Sequence, residues 1–235
     1  MNPPLISLRN FSSDQYILDK VFYHNCYRLP HFNKESSTQD KVVVDIGAHA
    51  GYFSVTALFL GYKVYAFEPV VDNLSVLLEN TSKHINSSVF VFPVGVSTNN
   101  SNIQLLNKPV LNNSMFDFAY LSENLTQTHV PEDSYPISVF SLASLLRVFV
   151  SNHMIDYLKI NLGYGEAFAL TNHKDFSIVS NICGEFSLSE ISSEGLSSFL
   201  KSVGFTNVLV EPINDDSRAL FFASKGKLED AFITS

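Results

Sequence analysis

The chain has 235 residues, 46% hydrophobic and only 16% charged, which suits one globular domain with a full core and excludes a disordered chain. A net charge of −8 speaks against a nucleic-acid partner, because phosphate binding requires a basic surface. Two cysteines, Cys26 and Cys183, make neither a disulfide framework nor a zinc site, and they read as reduced thiols of a cytoplasmic protein with no metal centre.

The N-terminus, Met1-Asn2-Pro3-Pro4-Leu5, lacks a basic stretch followed by an apolar one, so no signal peptide is expected. Residues 1–40 form a polar lead-in to a single domain spanning 1–235. Within it, Ile17, Leu18, Val21 and Phe22 recur at helical spacing across Asp14–Tyr23, behind Ser13 or Asp14 as cap. This helix is expected beside the functional site, with Tyr27–Phe32 a loop. Lys41–Ile46 is a β-branched run without alternation, the mark of a central parallel strand buried on both faces. Tyr52–Leu60 follows as a helix closed by Gly61, then Lys63–Phe67 as the second strand. Asp72 is the expected cap of a helix through Leu74, Leu77 and Leu78, and Val89–Val96 the third strand.

Residues 97–136 are the least regular, with turn clusters at Ser97–Asn102 and Asn112–Ser114. Their short apolar runs fit a hairpin, and an insertion here reads as a substrate lid. Leu142–Phe149 is expected to be helical, Tyr157–Leu162 and Ser180–Phe186 the fourth and fifth strands. Leu196, Phe199, Leu200 and Val203 share one face of a helix over Ser192–Val203, stopped by Gly204. Asn207–Val210 and Ala219–Ala223 end the domain as antiparallel strands around the polar turn Asn214–Ser217. The apolar stretches Tyr52–Phe67 and Val139–Val150 are interrupted by charge or are too short to cross a bilayer. The 20 Phe residues are mostly core; their excess also suits a deep pocket or a subunit contact, which leaves a homodimer open.

The chemistry concentrates at Val42-Val43-Val44-Asp45-Ile46-Gly47-Ala48-His49-Ala50-Gly51-Tyr52-Phe53-Ser54 and Phe67-Glu68-Pro69. A glycine turn between strand and helix lets backbone approach a ligand. A dinucleotide fingerprint would read G-x-G-x-x-G, but His49 stands in place of a second glycine and no third follows. That pattern suits S-adenosylmethionine (SAM), which carries no phosphate, better than a nicotinamide dinucleotide. Asp45, at the tip of the first strand, is expected to accept from the ammonium of SAM, directly or through water. Glu68, the expected ~20 residues or so downstream, can accept from both ribose hydroxyls. Gly47, Ala48, His49, Gly51, Tyr52, Phe53 and Ser54 surround the turn. Pro69 and Asn73 follow the acid, and Val94, Gly95 and Val96 supply further wall. The ring of Tyr52 or Phe53 also suits a sulfonium.

These motifs resemble the FkbM-type SAM-dependent methyltransferases. Val94-Gly95-Val96-Ser97 is similar to the family's third-strand end, Ser141–Leu146 to its Thr-Leu-Asp-x-Leu-Leu segment, and Leu158-Lys159-Ile160-Asn161 with Glu166 to its Leu-Lys-Ile-Asp-Val-Glu-Gly-x-Glu segment. The resemblance implies a Rossmann-like class I methyltransferase α/β fold. Its mostly parallel seven-stranded sheet has strand order 3-2-1-4-5-7-6 and an antiparallel C-terminal strand. It also implies O-methyl transfer to a small molecule or sugar. The chain departs from the family at Ala143, Asn161 and Gly163-Tyr164. Three of these positions adjoin the fourth strand's tip, where class I methyltransferases build the acceptor site. Candidates for the chemistry there are Asn161, which also adjoins the cofactor, and Lys159, Glu166 and His49, with Glu185 at the fifth strand's tip. The altered segment admits a SAM-binding protein without catalysis. Asn161-Leu162-Gly163-Tyr164 also keeps the outer residues of an amine-methylating Asn-Pro-Pro-Tyr pattern.

Overall fold

A computed structural model of the chain describes residues 4–10, 13–29, 41–84, 88–97, 101–107, 119–122, 134–151, 153–163, 165–213 and 217–226; for 101–107, 119–122 and 134–135 it describes the backbone. The lead-in carries α1 (Asp14–Leu18), which continues as a π-helical turn over Asp19–Tyr23. Then come β1 (Val42–Ile46), α2 (Tyr52–Phe59), β2 (Lys63–Phe67), α3 (Val71–Ser82) and β3 (Val89–Phe92). The middle of the chain holds β4 (Val94–Val96), β5 (Ser101–Asn107), β6 (Ala119–Ser122), β7 (Ser134–Phe140) and α4 (Leu142–Leu145), the last extended by a π-helical turn to Val150. The remainder is β8 (Ile155–Ile160), α5 (Glu166–Thr171), β9 (Val179–Ser187), α6 (Ser193–Ser202), β10 (Asn207–Pro212) and β11 (Arg218–Ser224).

Seven strands form the main sheet in the order β10-β11-β9-β8-β1-β2-β3. From the far edge this is the 3-2-1-4-5-7-6 order. β1 pairs in parallel with β2 and β8, and β11 runs antiparallel between β9 and β10. The β-branched run of β1 is buried on both faces, as its lack of alternation requires. Val44 and Ile46 join a core with Phe67, Leu158 and Leu200, while Val43 packs with Phe53, Leu77 and Tyr157 on the opposite side. The register pairs Ile46 with both Phe67 and Ile160. The residues following three strand tips, at 47, 68 and 161, therefore emerge together at one end of the sheet.

Three expectations need correction. Val89–Val96 is not one strand: Pro93 has no N–H to give a ladder, and the chain leaves the main sheet there. β4 then starts a second sheet of order β4-β7-β5-β6. The 97–136 segment is thus largely strand where it is described, and β5 and β6 do pair as antiparallel neighbours. Asp72 does not cap α3. It lies inside the first turn, Val70 holds the cap position, and the Val70 N–H donates to Glu68 Oε1 at 2.9 Å. The fourth strand ends at Ile160, which leaves Asn161 and Leu162 just beyond the tip. The expected turns at 112–114 and 214–216, the loop beyond Leu29, and Tyr164 lie outside the described residues. Among the described residues, no helix is long and apolar enough to cross a membrane.

Candidate functional site

A cavity opens over the tips of β1, β2 and β8. Its floor includes Gly47, Ala48 and His49, its sides Glu68, Pro69, Asn73 and Val94–Val96, and its far end Lys159, Asn161 and Glu185. The lead-in roofs it with Tyr16, Ile17, Lys20 and Tyr27 among others, so the expectation that the first helix packs beside the site holds.

The glycine turn is dictated sterically. Gly47 has φ +72°, and a Cβ there would sit 1.8 Å from the Asn161 carbonyl oxygen. Only glycine lets the tips of β1 and β8 approach so closely. The Gly47 and Ala48 N–H groups both donate to the Phe67 carbonyl at 3.0 Å. Gly51, at φ +88°, precedes α2, and a Cβ there would meet Leu77 Cδ1 at 2.6 Å. It lets α2 pack on α3 and stands off the cavity wall.

Glu68 is buried yet lines the cavity. Its Oε2 accepts from the His49 N–H at 2.8 Å; its Oε1 accepts from the Val70 N–H at 2.9 Å and from Asn73 Nδ2 at 3.3 Å. Burial pushes its pKa up, and these three donors partly oppose the shift. Among the described residues no ion pair holds it. Two of these bonds fall on Oε1 and one on Oε2, so Oε2 keeps a lone pair for a further donor.

Asp45 is elsewhere than expected. It does not line the cavity but lies wholly buried beneath the turn. Lys159 Nζ pairs with its Oδ1 at 2.9 Å and Ser54 Oγ donates to its Oδ2 at 2.6 Å. Lys159 Nζ also donates to the Gly47 carbonyl at 2.7 Å. Asp45, Ser54 and Lys159 thus form a brace that fixes the turn from below. Neither direct contact of Asp45 with a ligand's ammonium nor proton transfer by Lys159 fits this arrangement.

His49 also departs from its expected role. Arg9 Nη2 lies 3.0 Å from its Nε2. A guanidinium only donates, so Nε2 is the acceptor and the ring proton is assigned to Nδ1. Burial, reinforced by the Arg9 charge, lowers the His49 pKa to about 4. The imidazole is neutral and its basic nitrogen is already occupied, which argues against a base. Its backbone, at φ +54°, shapes the turn.

Arg9 ties the lead-in to this turn. Besides His49 it donates to both Asp14 oxygens, at 2.8 and 3.0 Å, and to Asn73 Oδ1 at 2.8 Å. Burial pushes the Asp14 pKa up, but the Arg9 bonds outweigh it and hold the carboxyl at about 2.

At the β8 tip, Asn161 Nδ2 donates to Tyr27 Oη at 2.9 Å and to Glu185 Oε2 at 3.1 Å. Lys20 Nζ pairs with Glu185 Oε1 at 2.9 Å. Glu166, expected here, is fully buried and off the cavity wall. Its Oε1 accepts from the Leu162 N–H at 2.9 Å and pairs with Arg218 Nη2 at 3.3 Å. Arg218 Nη1 donates in turn to the Gly163 carbonyl at 2.7 Å. Glu166 therefore shapes the loop after β8 instead of meeting a ligand. Tyr52 and Phe53 line the cavity, and Phe53 sets its ring edge-on to Tyr27 at 5.6 Å between centroids.

Sequence reasoning missed Arg9, Lys20, Tyr27 and Arg218. One faint signal existed: Tyr16 and Lys20 are four apart on a helix that exposes one face to its neighbours.

No family model matches the chain, and no curated protein does. Solved structures do match. Magnesium protoporphyrin IX methyltransferase from Synechocystis PCC 6803, crystallised with SAM, shares 10% identity and a TM-score of 0.51 over 94% of this chain and 86% of its own. TrmK from M. capricolum, in complex with S-adenosylhomocysteine (SAH), shares 17% identity over 88% and 69%, with a TM-score of 0.48. The N-terminal domain of human METTL16, also with SAH, shares 12% over 97% and 76%, with a TM-score of 0.46. The chain has the fold of the Rossmann-like class I methyltransferases.

Proposed function

We propose that this chain is a SAM-dependent methyltransferase of the FkbM type, acting on a hydroxyl of a small molecule or sugar. Glu68 carries the reading. It is a buried carboxylate at the tip of β2, open to the cavity and outside the ion pairs of the described residues. Such a group is costly to leave unmatched. A ribose hydroxyl offers its Oε2 a donor, and the positive charge on SAM offsets its own. The remaining wall fits a nucleoside: the Gly47–Ala48 backbone below, Pro69 and Asn73 beside the acid, apolar Val94 and Val96 opposite. The Synechocystis enzyme, with the same fold, holds SAM.

SAM brings a methyl group already activated on a sulfonium, so much of this chain's task is to align the reactants, which is worth several kcal/mol, up to about 7–11 in ideal cases. Glu68 fixes the nucleoside end. The buried Asp45–Lys159 pair keeps the turn rigid. Asn161, held by Tyr27 and Glu185, orients the acceptor end. Glu68→Ala removes a charged hydrogen-bond acceptor worth about 1.5–3 kcal/mol, so SAH affinity should fall roughly ten- to a hundredfold by calorimetry. Unchanged affinity would remove Glu68 from the cofactor site.

A further inference from the structure

We propose that Glu185 takes the proton released by the methyl acceptor. The inference rests on the methyl-transfer reading above, its small hydroxylated acceptor included, and adds to it the base.

Glu68 and Glu185 are the two carboxylates on the cavity wall among the described residues. Glu68 follows β2 and Glu185 belongs to β9, with β1 and β8 between them in the sheet. They therefore serve opposite ends of the cavity, and a nucleoside gripped by Glu68 leaves Glu185 to the acceptor. Lys20 fixes one Glu185 oxygen and Asn161 the other, so the carboxylate is oriented while each oxygen keeps a second lone pair. The other candidates are spent. The Lys159 ammonium serves Asp45 and the Gly47 carbonyl, and His49 Nε2 accepts from Arg9. The Asn161 amide takes up no proton, and burial pushes the Cys26 thiol up to about 12.

The roof covers the Glu185 end of the cavity. Tyr16, Lys20 and Tyr27 cover this end. Their segment is tied to the rest of the domain by Arg9 with Asn73, by Lys20 with Glu185, and by Tyr27 Oη, which accepts from Asn161. Opening this end would cost these partly buried bonds.

In the step itself, the acceptor oxygen forms a bond to the methyl carbon as the carbon–sulfur bond breaks. The electron pair of that bond stays on sulfur, which becomes the neutral thioether of SAH. The hydroxyl proton passes to the Glu185 carboxylate and from there to water.

The test incubates the full chain and SAM labelled in its methyl group with a small-molecule filtrate of cell extract, with total RNA and with total protein, each separately. Label is expected in the filtrate. Glu185→Gln should lower that rate by about 10²–10⁴-fold, the usual worth of a positioned base, and leave calorimetric SAH affinity within roughly threefold. Glu185→Ala should regain turnover with added formate, whereas Asn161→Ala should not. Label in RNA or protein, label in no pool, turnover of Glu185→Gln close to wild type, or loss of its SAH affinity would each overturn the proposal. Failure of the unmodified chain to bind SAH would instead defeat the methyltransferase reading itself.

Discussion

At the residue scale, the site is decided by which polar groups face the cavity and which are consumed behind it. Asp45, Glu68 and Glu166 are all buried acids, yet only Glu68 faces inward. Asp45 is matched by a buried lysine and Glu166 by an arginine, while Glu68 meets only neutral donors. His49 supplies a separate test. Its pKa is about 4 in the fold against an ordinary 6.5, because the buried ring stays neutral. Below pH 6.5 the unfolded chain takes up a proton that the folded chain refuses. Stability from this source is therefore intact above pH 6.5 and drains away as the pH falls toward 4. Between pH 7 and pH 5 the loss is about 2 kcal/mol. His49→Asn tolerates positive φ and removes the titration, so its unfolding free energy should be flatter over that range in urea melts. An unaltered slope would mean that His49 is not held neutral. Glu68 and Gly47 were legible in the sequence because local rules specify them: an acid a fixed distance past the first strand, and a glycine at a strand–helix turn. The occupation of Asp45 and His49 was not legible. Their partners Lys159 and Arg9 lie 114 residues after Asp45 and 40 before His49 in the chain, and no local pattern joins them.

At the element scale, the crossover β1–turn–α2–β2 is where local and global preferences agree. The β-branched strand, the left-handed glycines and the apolar helix each call for the same arrangement. Gly47 is its most constrained point, since a methyl group there would lie 1.8 Å from the Asn161 oxygen. Gly47→Ala should therefore cost more than about 3 kcal/mol by pushing β1 and β8 apart, in addition to the strain of positive φ. A melting temperature equal to wild type would show that the two tips are not so tightly apposed. Misreadings fell where tertiary context overrides local cues. Val89–Val96 is rich in strand formers, but Pro93, a local breaker that the single-strand reading passes over, divides it between two sheets. Asp72 is a good cap by type, yet the entry to α3 is held by Glu68, whose side chain accepts the Val70 N–H. The acid on the cavity wall thus also starts the following helix, which ties the orientation of α3 to that wall.

At the scale of the whole molecule, the strand order and the clustering of the β1, β2 and β8 tips were expected from the resemblance of a few motifs, and the sheet has that order. The roof was legible only as a helix near the site; its clasp through Arg9, Lys20 and Tyr27 depends on contacts with distant strands. The net charge of −8 is one ground for the small acceptor proposed above, since a polyanion calls for a basic surface. The most direct measurement is a calorimetric titration of the unmodified chain with SAH, with NAD as the comparison ligand. The account predicts saturable one-to-one heat and thermal protection with SAH and neither with NAD; no heat and no protection with SAH, or protection by NAD alone, would contradict it.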